Sequence, residues 1–128
     1  MKTILIAAAV ALSASIAFGD NAGLRVDQID LPHHEQGTEM ALWYPTEDFG
    51  SAETFANNLV FKGVLGHWDA APTDGAHPIV LFSHGMGGGH HAQAWLAAGL
   101  AKRGAIVVMV NHPGSTWGDF DMTKGVAH

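Results

Sequence analysis

The chain is 128 residues long, room for one domain at most, and its 48% hydrophobic and 14% charged residues suit a globular fold. Its formal net charge of −6 argues against nucleic acid as a partner. It has no cysteine, which excludes a disulfide framework and a thiolate metal site.

Met1 to Gly19 reads as an export signal, with the folded portion running over 20–128. Lys2 gives a positive start, Ile4 to Leu12 an apolar run, and Ala17 and Gly19 small residues before a cleavage point at Asp20. The apolar run is short for a membrane span, so no stable anchor is expected after cleavage, and the destination is periplasmic or secreted. Removing Lys2 leaves five basic and twelve acidic residues, a net charge of −7.

Leu24 to Leu31 alternates apolar and polar residues and reads as an edge-like strand. Residues 32–37 (P-H-H-E-Q-G) form a turn, Glu39 to Tyr44 a second strand, and Pro45 closes it, so the two strands make a hairpin. Asp48 to Asn58 has no clear period and reads as a loop. Leu59 to Trp68 holds a short extended piece broken by Gly63 and Gly66, and Asp69 to His77 is a surface loop by its Pro, Gly and Asp content.

The centre of the chain is His77 to Gly104. Ile79 to Phe82 is an apolar run with the pattern of a strand buried on both faces. Residues 83–89 (S-H-G-M-G-G-G) then place four glycines in five positions, which permits positive φ and close approach of a ligand to the main chain. A helix is expected from about His91 to Arg103, with Trp95, Leu96, Gly99 and Leu100 on its inner face. Lys102 and Arg103 suit its last turn and Gly104 its stop. Ala105 to Val110 is a second apolar strand. Strand, helix and strand form a βαβ unit of a parallel sheet, so the glycine loop lies where open α/β sheets bind ligands. Asn111-His112-Pro113-Gly114-Ser115-Thr116 leaves the same end of that sheet and either lines a pocket or is a plain Pro-Gly turn. Asp119 to Val126 has the look of an opening helix, capped by Asp119 or Asp121.

Three uses of a glycine loop compete. A dinucleotide fingerprint fits at Gly85 and Gly87, but His90 takes the third glycine's place and Asn111 stands where an acid should meet the ribose. A P-loop needs a lysine that the loop lacks. The third use is an oxyanion loop, H-G-x-G after an early strand, whose N–H groups face a carbonyl oxygen that becomes negative. Nine histidines invite a metal site, but His33-His34 and His90-His91 are adjacent pairs and no H-x-x-x-H occurs. His84, His90 and His112 could meet at the crevice, yet no metal and no cofactor is expected. His90 and His91 read as exposed residues at a helix start. Trp43, Tyr44 and Trp95 read as core, and Trp117 as the aromatic placed to touch an acyl chain.

"PIVLFSHGMGG", the following helix, "GAIVVMVNHPGST" and the upstream "MALWYPTE" together resemble the N-terminal half of an α/β-hydrolase. More narrowly, they are similar to bacterial predicted dienelactone hydrolases and platelet-activating-factor acetylhydrolase-like esterases. The resemblance implies an α/β fold, an N-terminal hairpin followed by the first βαβ unit of the hydrolase sheet. It implies hydrolysis of a small ester or lactone. It also makes the Met86 N–H an oxyanion donor, with Gly85 and Gly87 shaping the loop and His84, Asn111 and His112 lining the pocket, His84 holding the loop through its backbone. The family's nucleophile stands in G-x-S-x-G, and no such motif occurs among Ser51, Ser83 and Ser115. On this reading the chain is a truncated hydrolase lacking nucleophile, acid and base, inactive alone and completed by a C-terminal half. Its sheet would expose a bare apolar edge at Ala105 to Val110. The rival reading is a small exported binding domain whose glycine loop holds an anion at the next helix's N-terminus.

Overall fold

The computed structural model describes residues 21–32 and 37–119. The expected signal segment, residues 33–36 of the expected turn with its histidine pair, and the helix expected beyond Asp119 lie outside the described residues. The elements are β1 (Asn21–Ile29), β2 (Thr38–Thr46), β3 (Ala52–Phe55), β4 (Val64–Trp68), β5 (Ile79–Ser83), α1 (Ala94–Lys102) and β6 (Ile106–Val110). Among the described residues these strands form one sheet in the order β3-β4-β1-β2-β6-β5.

β1 and β2 pair antiparallel over nine residues, with Leu24 opposite Trp43, which is the hairpin read from two strands joined by a short turn. β5 and β6 pair parallel from Ile79↔Ile106 to Ser83↔Val110, with α1 between them in the chain, which is the βαβ unit. The α/β architecture expected from the sequence is therefore present. Pro45 does not close β2. It pairs with Ala22 inside the strand, which runs on to Thr46.

Two edges differ from expectation. β1 is not an edge strand, because β4 pairs with it in parallel at Gly23↔His67 and Leu24↔Trp68. β4 in turn pairs with β3, so the stretch read as a loop and a broken extended piece is a second hairpin. It escaped sequence reading because β3 is four residues long and mostly exposed, leaving no buried face to create a period. β6 is not the bare edge either. It lies between β2 and β5, and β5 takes the edge.

The core lies on one face of the sheet. Leu24, Ala41, Trp43, Val107 and Met109 are buried there beneath α1. Phe55 meets Trp43 edge-on at 5.8 Å and Trp68 at 5.9 Å. The buried residues of α1 are Ala94, Ala97, Ala98 and Ala101, a stripe at i, i+3, i+4, i+7. Trp95, expected inside, is 67% exposed. Small side chains let the helix sit close against a sheet that already carries Trp43 and Leu24, and the indole of Trp95 is left outside. β5 is likewise not buried on both faces. Its residues alternate in exposure, with Ile79 68% and Leu81 78% exposed, because the single described helix covers only the opposite face.

Candidate active site

β5 and β6 are parallel neighbours, so the chain leaves both at the same end of the sheet, at Ser83 and at Asn111. The two loops then hydrogen-bond to each other. The Gly87 N–H donates to the Ser115 carbonyl at 2.8 Å, and the Trp117 N–H to the Gly88 carbonyl at 2.8 Å. Gly87 has φ +73°, a conformation L side chains rarely adopt, and Gly85 stays out of that region. Gly88 serves closeness instead, since a Cβ there would stand 2.8 Å from His84 Cβ. With the Gly87 N–H turned to Ser115, the Met86 N–H has no hydrogen-bond partner among the described residues. The Met86 side chain is exposed.

His84 is buried against this loop. Its Nδ1 meets the Gly85 carbonyl at 2.7 Å, and its Nε2 lies 3.4 Å from Thr116 Oγ1. His112 lies beside it, its ring tilted by 46° with 4.6 Å between ring centres. The His112 Nε2 meets the exposed Ser83 hydroxyl at 2.7 Å. Thr116 closes the second loop: its hydroxyl accepts from the His112 N–H at 2.9 Å and donates to the His112 carbonyl at 2.9 Å. Burial, and then His84, push the His112 imidazole below its usual pKa. Partial burial of an otherwise exposed ring, and then His90 and His84, do the same at His91.

Asn111 is a clamp at the end of β6. Its Oδ1 accepts from the His90 N–H at 2.6 Å and lies 3.0 Å from the His90 ring. Its Nδ2 donates to Glu39 Oε2 at 3.5 Å, and its N–H to the Glu39 carbonyl at 2.9 Å. His90 is thus not an exposed helix-start residue. It is held in the clamp, 5.9 Å from the Phe55 ring, while His91 is exposed. His84 and His112 meet as the spacing allowed, whereas His90 faces away to Glu39 and Asn111. Among the described residues no group of three His, Cys, Asp or Glu could hold a metal ion.

The glycine loop does not open the helix directly. A turn over residues 90–93 intervenes, and Gln93 before the first helical residue is left-handed, so the loop's N–H groups are not those of the helix N-terminus. A cavity of about 250 Å³ opens instead between residues 56–64 and the start of α1, lined by Phe61, Val64, His91 and Trp95, apart from the loop pair. Ser83 and Glu39 are the site residues that sequence reading missed, whereas Thr116 lies in the 111–116 stretch it had set beside a pocket. The β5–β6 adjacency was legible, and with it Ser83 could have been set against the β6 loop. Glu39 could not, because it enters through the long-range β2–β6 pairing.

A family model described as platelet-activating factor acetylhydrolase, isoform II, matches residues 29–116. A putative phospholipase A2 of Schizosaccharomyces pombe is 33% identical over 91 residues, 69% of this chain and 20% of that protein. A ferulic acid esterase from Streptomyces cinnamoneus shares the fold with a TM-score of 0.65 at 18% identity, over 80% of this chain and 36% of that one. The chain thus spans a fifth of the curated relative's length.

Proposed function

Because the chain belongs to the platelet-activating factor acetylhydrolase, isoform II, family, we propose that it supplies the electrophile-binding part of a serine ester hydrolase. The observation that carries this reading is the Met86 N–H after the carboxyl end of β5, which has no partner among the described residues. When a serine attacks an ester carbonyl, negative charge grows on the oxygen. A donor already oriented toward it stabilises the transition state without reorganising. The second loop does the orienting here, by taking up the Gly87 N–H through Ser115.

The attacking serine, the histidine that carries its proton and the acid that orients the histidine come from outside these 128 residues, in which no G-x-S-x-G occurs. The substrate class is a carboxylic ester or lactone. A phospholipid acyl ester fits the name of the yeast relative, and a smaller ester the name of the esterase. Exposed Met86 and Trp117 flank the loops and offer an acyl chain apolar contact. No cofactor and no nucleic acid enter the reaction. Export through residues 1–19, to the periplasm or medium, belongs to the same proposal and rests on Lys2, the apolar run and the small residues before Asp20.

The test starts from the source gene. Its reading downstream of the His128 codon is translated, and the product that includes a G-x-S-x-G segment is assayed on short-chain aryl esters. We expect turnover, a mature N-terminus at Asp20, and a loss in Met86→Pro of about 10²–10³ in kcat, or about 2.7–4 kcal/mol. KM should change little, because the contact forms in the transition state. An unchanged kcat in a folded Met86→Pro protein would remove the oxyanion assignment. A product with G-x-S-x-G and no turnover would remove the hydrolase reading.

A further inference from the structure

We propose that Ser83 and His112 form a reactive pair of their own, in which the Ser83 hydroxyl accepts an acyl group from an activated ester such as an aryl ester. The pair is independent of the Met86 reading and needs nothing beyond the described residues. Three observations carry it. The Ser83 Oγ and His112 Nε2 stand 2.7 Å apart, within reach for proton transfer. The two residues end adjacent parallel strands, so the sheet fixes their spacing rather than a single loop. Ser83 is exposed and can be reached by a ligand.

The surroundings of His112 suit a base. The imidazole is held below its usual pKa by burial and by His84, so near neutral pH it is uncharged and Nε2 can take a proton. Thr116 holds its backbone at both the N–H and the carbonyl, and the His84 ring backs it at 4.6 Å. Among the described residues no carboxylate bonds to its Nδ1, so the pair is a dyad without an orienting acid.

The step balances as follows. Ser83 Oγ bonds to the ester carbonyl carbon as its proton passes to His112 Nε2. The tetrahedral intermediate collapses, the carbon–oxygen bond to the aryl group breaks, and the phenolate departs. His112 then releases its proton to water. The product is an O-acyl Ser83. Its hydrolysis must expel the serine oxygen, which even when His112 protonates it on departure is a far poorer leaving group than a phenolate. The reaction is therefore stoichiometric, one acyl group per chain, with no sustained turnover.

The experiment uses the 128-residue chain with 4-nitrophenyl acetate near neutral pH. Released nitrophenolate is followed, and the acetyl group is placed by peptide mass mapping with and without hydroxylamine, which removes esters and spares the amides formed on lysines. We expect one hydroxylamine-labile acetyl group on Ser83, none in Ser83→Ala, and a rate lower by about 10²-fold in His112→Gln, the low end for a general base. Ser51→Ala should label as the parent does. Far-UV spectra of each variant establish that it is folded. Label on other residues only, or a Ser83 label that folded His112→Gln acquires at the parental rate, overturns the proposal. Either result leaves the Met86 assignment untouched, since that is read in the longer product.

Discussion

His112 and His91 are the residues whose protonation ties the site to the fold. Both are pushed below the ordinary histidine pKa, first by burial. The unfolded chain, with histidines near the ordinary value of about 6.5, then binds protons at higher pH than the folded one. Their contribution to stability is fully present above about pH 6.5 and is lost as pH falls through the lowered folded values. We expect the urea midpoint to drop between about pH 7.5 and pH 5.5. A His91→Gln, His112→Gln double variant should flatten this drop, which assigns it to the two imidazoles and not to carboxylates. An equal drop in that variant would show that the two imidazoles do not carry the linkage. Asn111 and Glu39 set a different kind of constraint, a network that fastens the glycine loop's exit to β2 without any group needing to change charge.

Among the elements, α1 departs most from the reading of its sequence. Its large residues suggested the inner face, but its small ones lie there, with Ala98 buried and Trp95 exposed. Packing decides this, since a helix over a sheet carrying buried Trp43 has room for methyl groups and not for a second indole. Ala98→Leu should therefore cost about 1–3 kcal/mol by overpacking. Trp95→Ala, a far larger change in volume, should stay within about 0.5 kcal/mol. Urea titration of both variants separates the two faces: a costly Trp95→Ala with a silent Ala98→Leu would return the helix to the orientation its sequence suggests. The glycine loop follows the same logic at shorter range. Gly87 is needed for its positive φ and Gly88 for its nearness to His84, while Gly85 has open space where a Cβ would stand.

At the scale of the whole molecule, the described sheet is covered on one side. Ile79 and Leu81 stand exposed on the other side, on the strand at the sheet's edge. An apolar edge strand is a template for pairing with another chain. Leu81→Lys places a charge on that strand without removing a core contact. It should raise the concentration at which the chain stays monodisperse by light scattering and leave the urea midpoint nearly unchanged. Aggregation that persists unaltered in Leu81→Lys would show that another surface drives it.

The sequence by itself determined the local elements and their chemistry. Two strands joined by a short turn made the hairpin, the apolar runs around a glycine loop made the βαβ unit, and H-G-x-G set Met86 just beyond the end of a strand. These are legible because they depend on period, turn residues and neighbours within about 30 positions. The tertiary structure alone decided which strand forms the edge, which face of α1 is buried, and which side chains meet in the site. β6 was inserted between β2 and β5 by pairing with residues some 65 positions earlier, such as Val108 with Leu42. The same long-range pairing brought Glu39 to Asn111, and the β5–β6 register brought Ser83 to His112. Such contacts follow from the packing of the sheet as a whole, so no local pattern carries them.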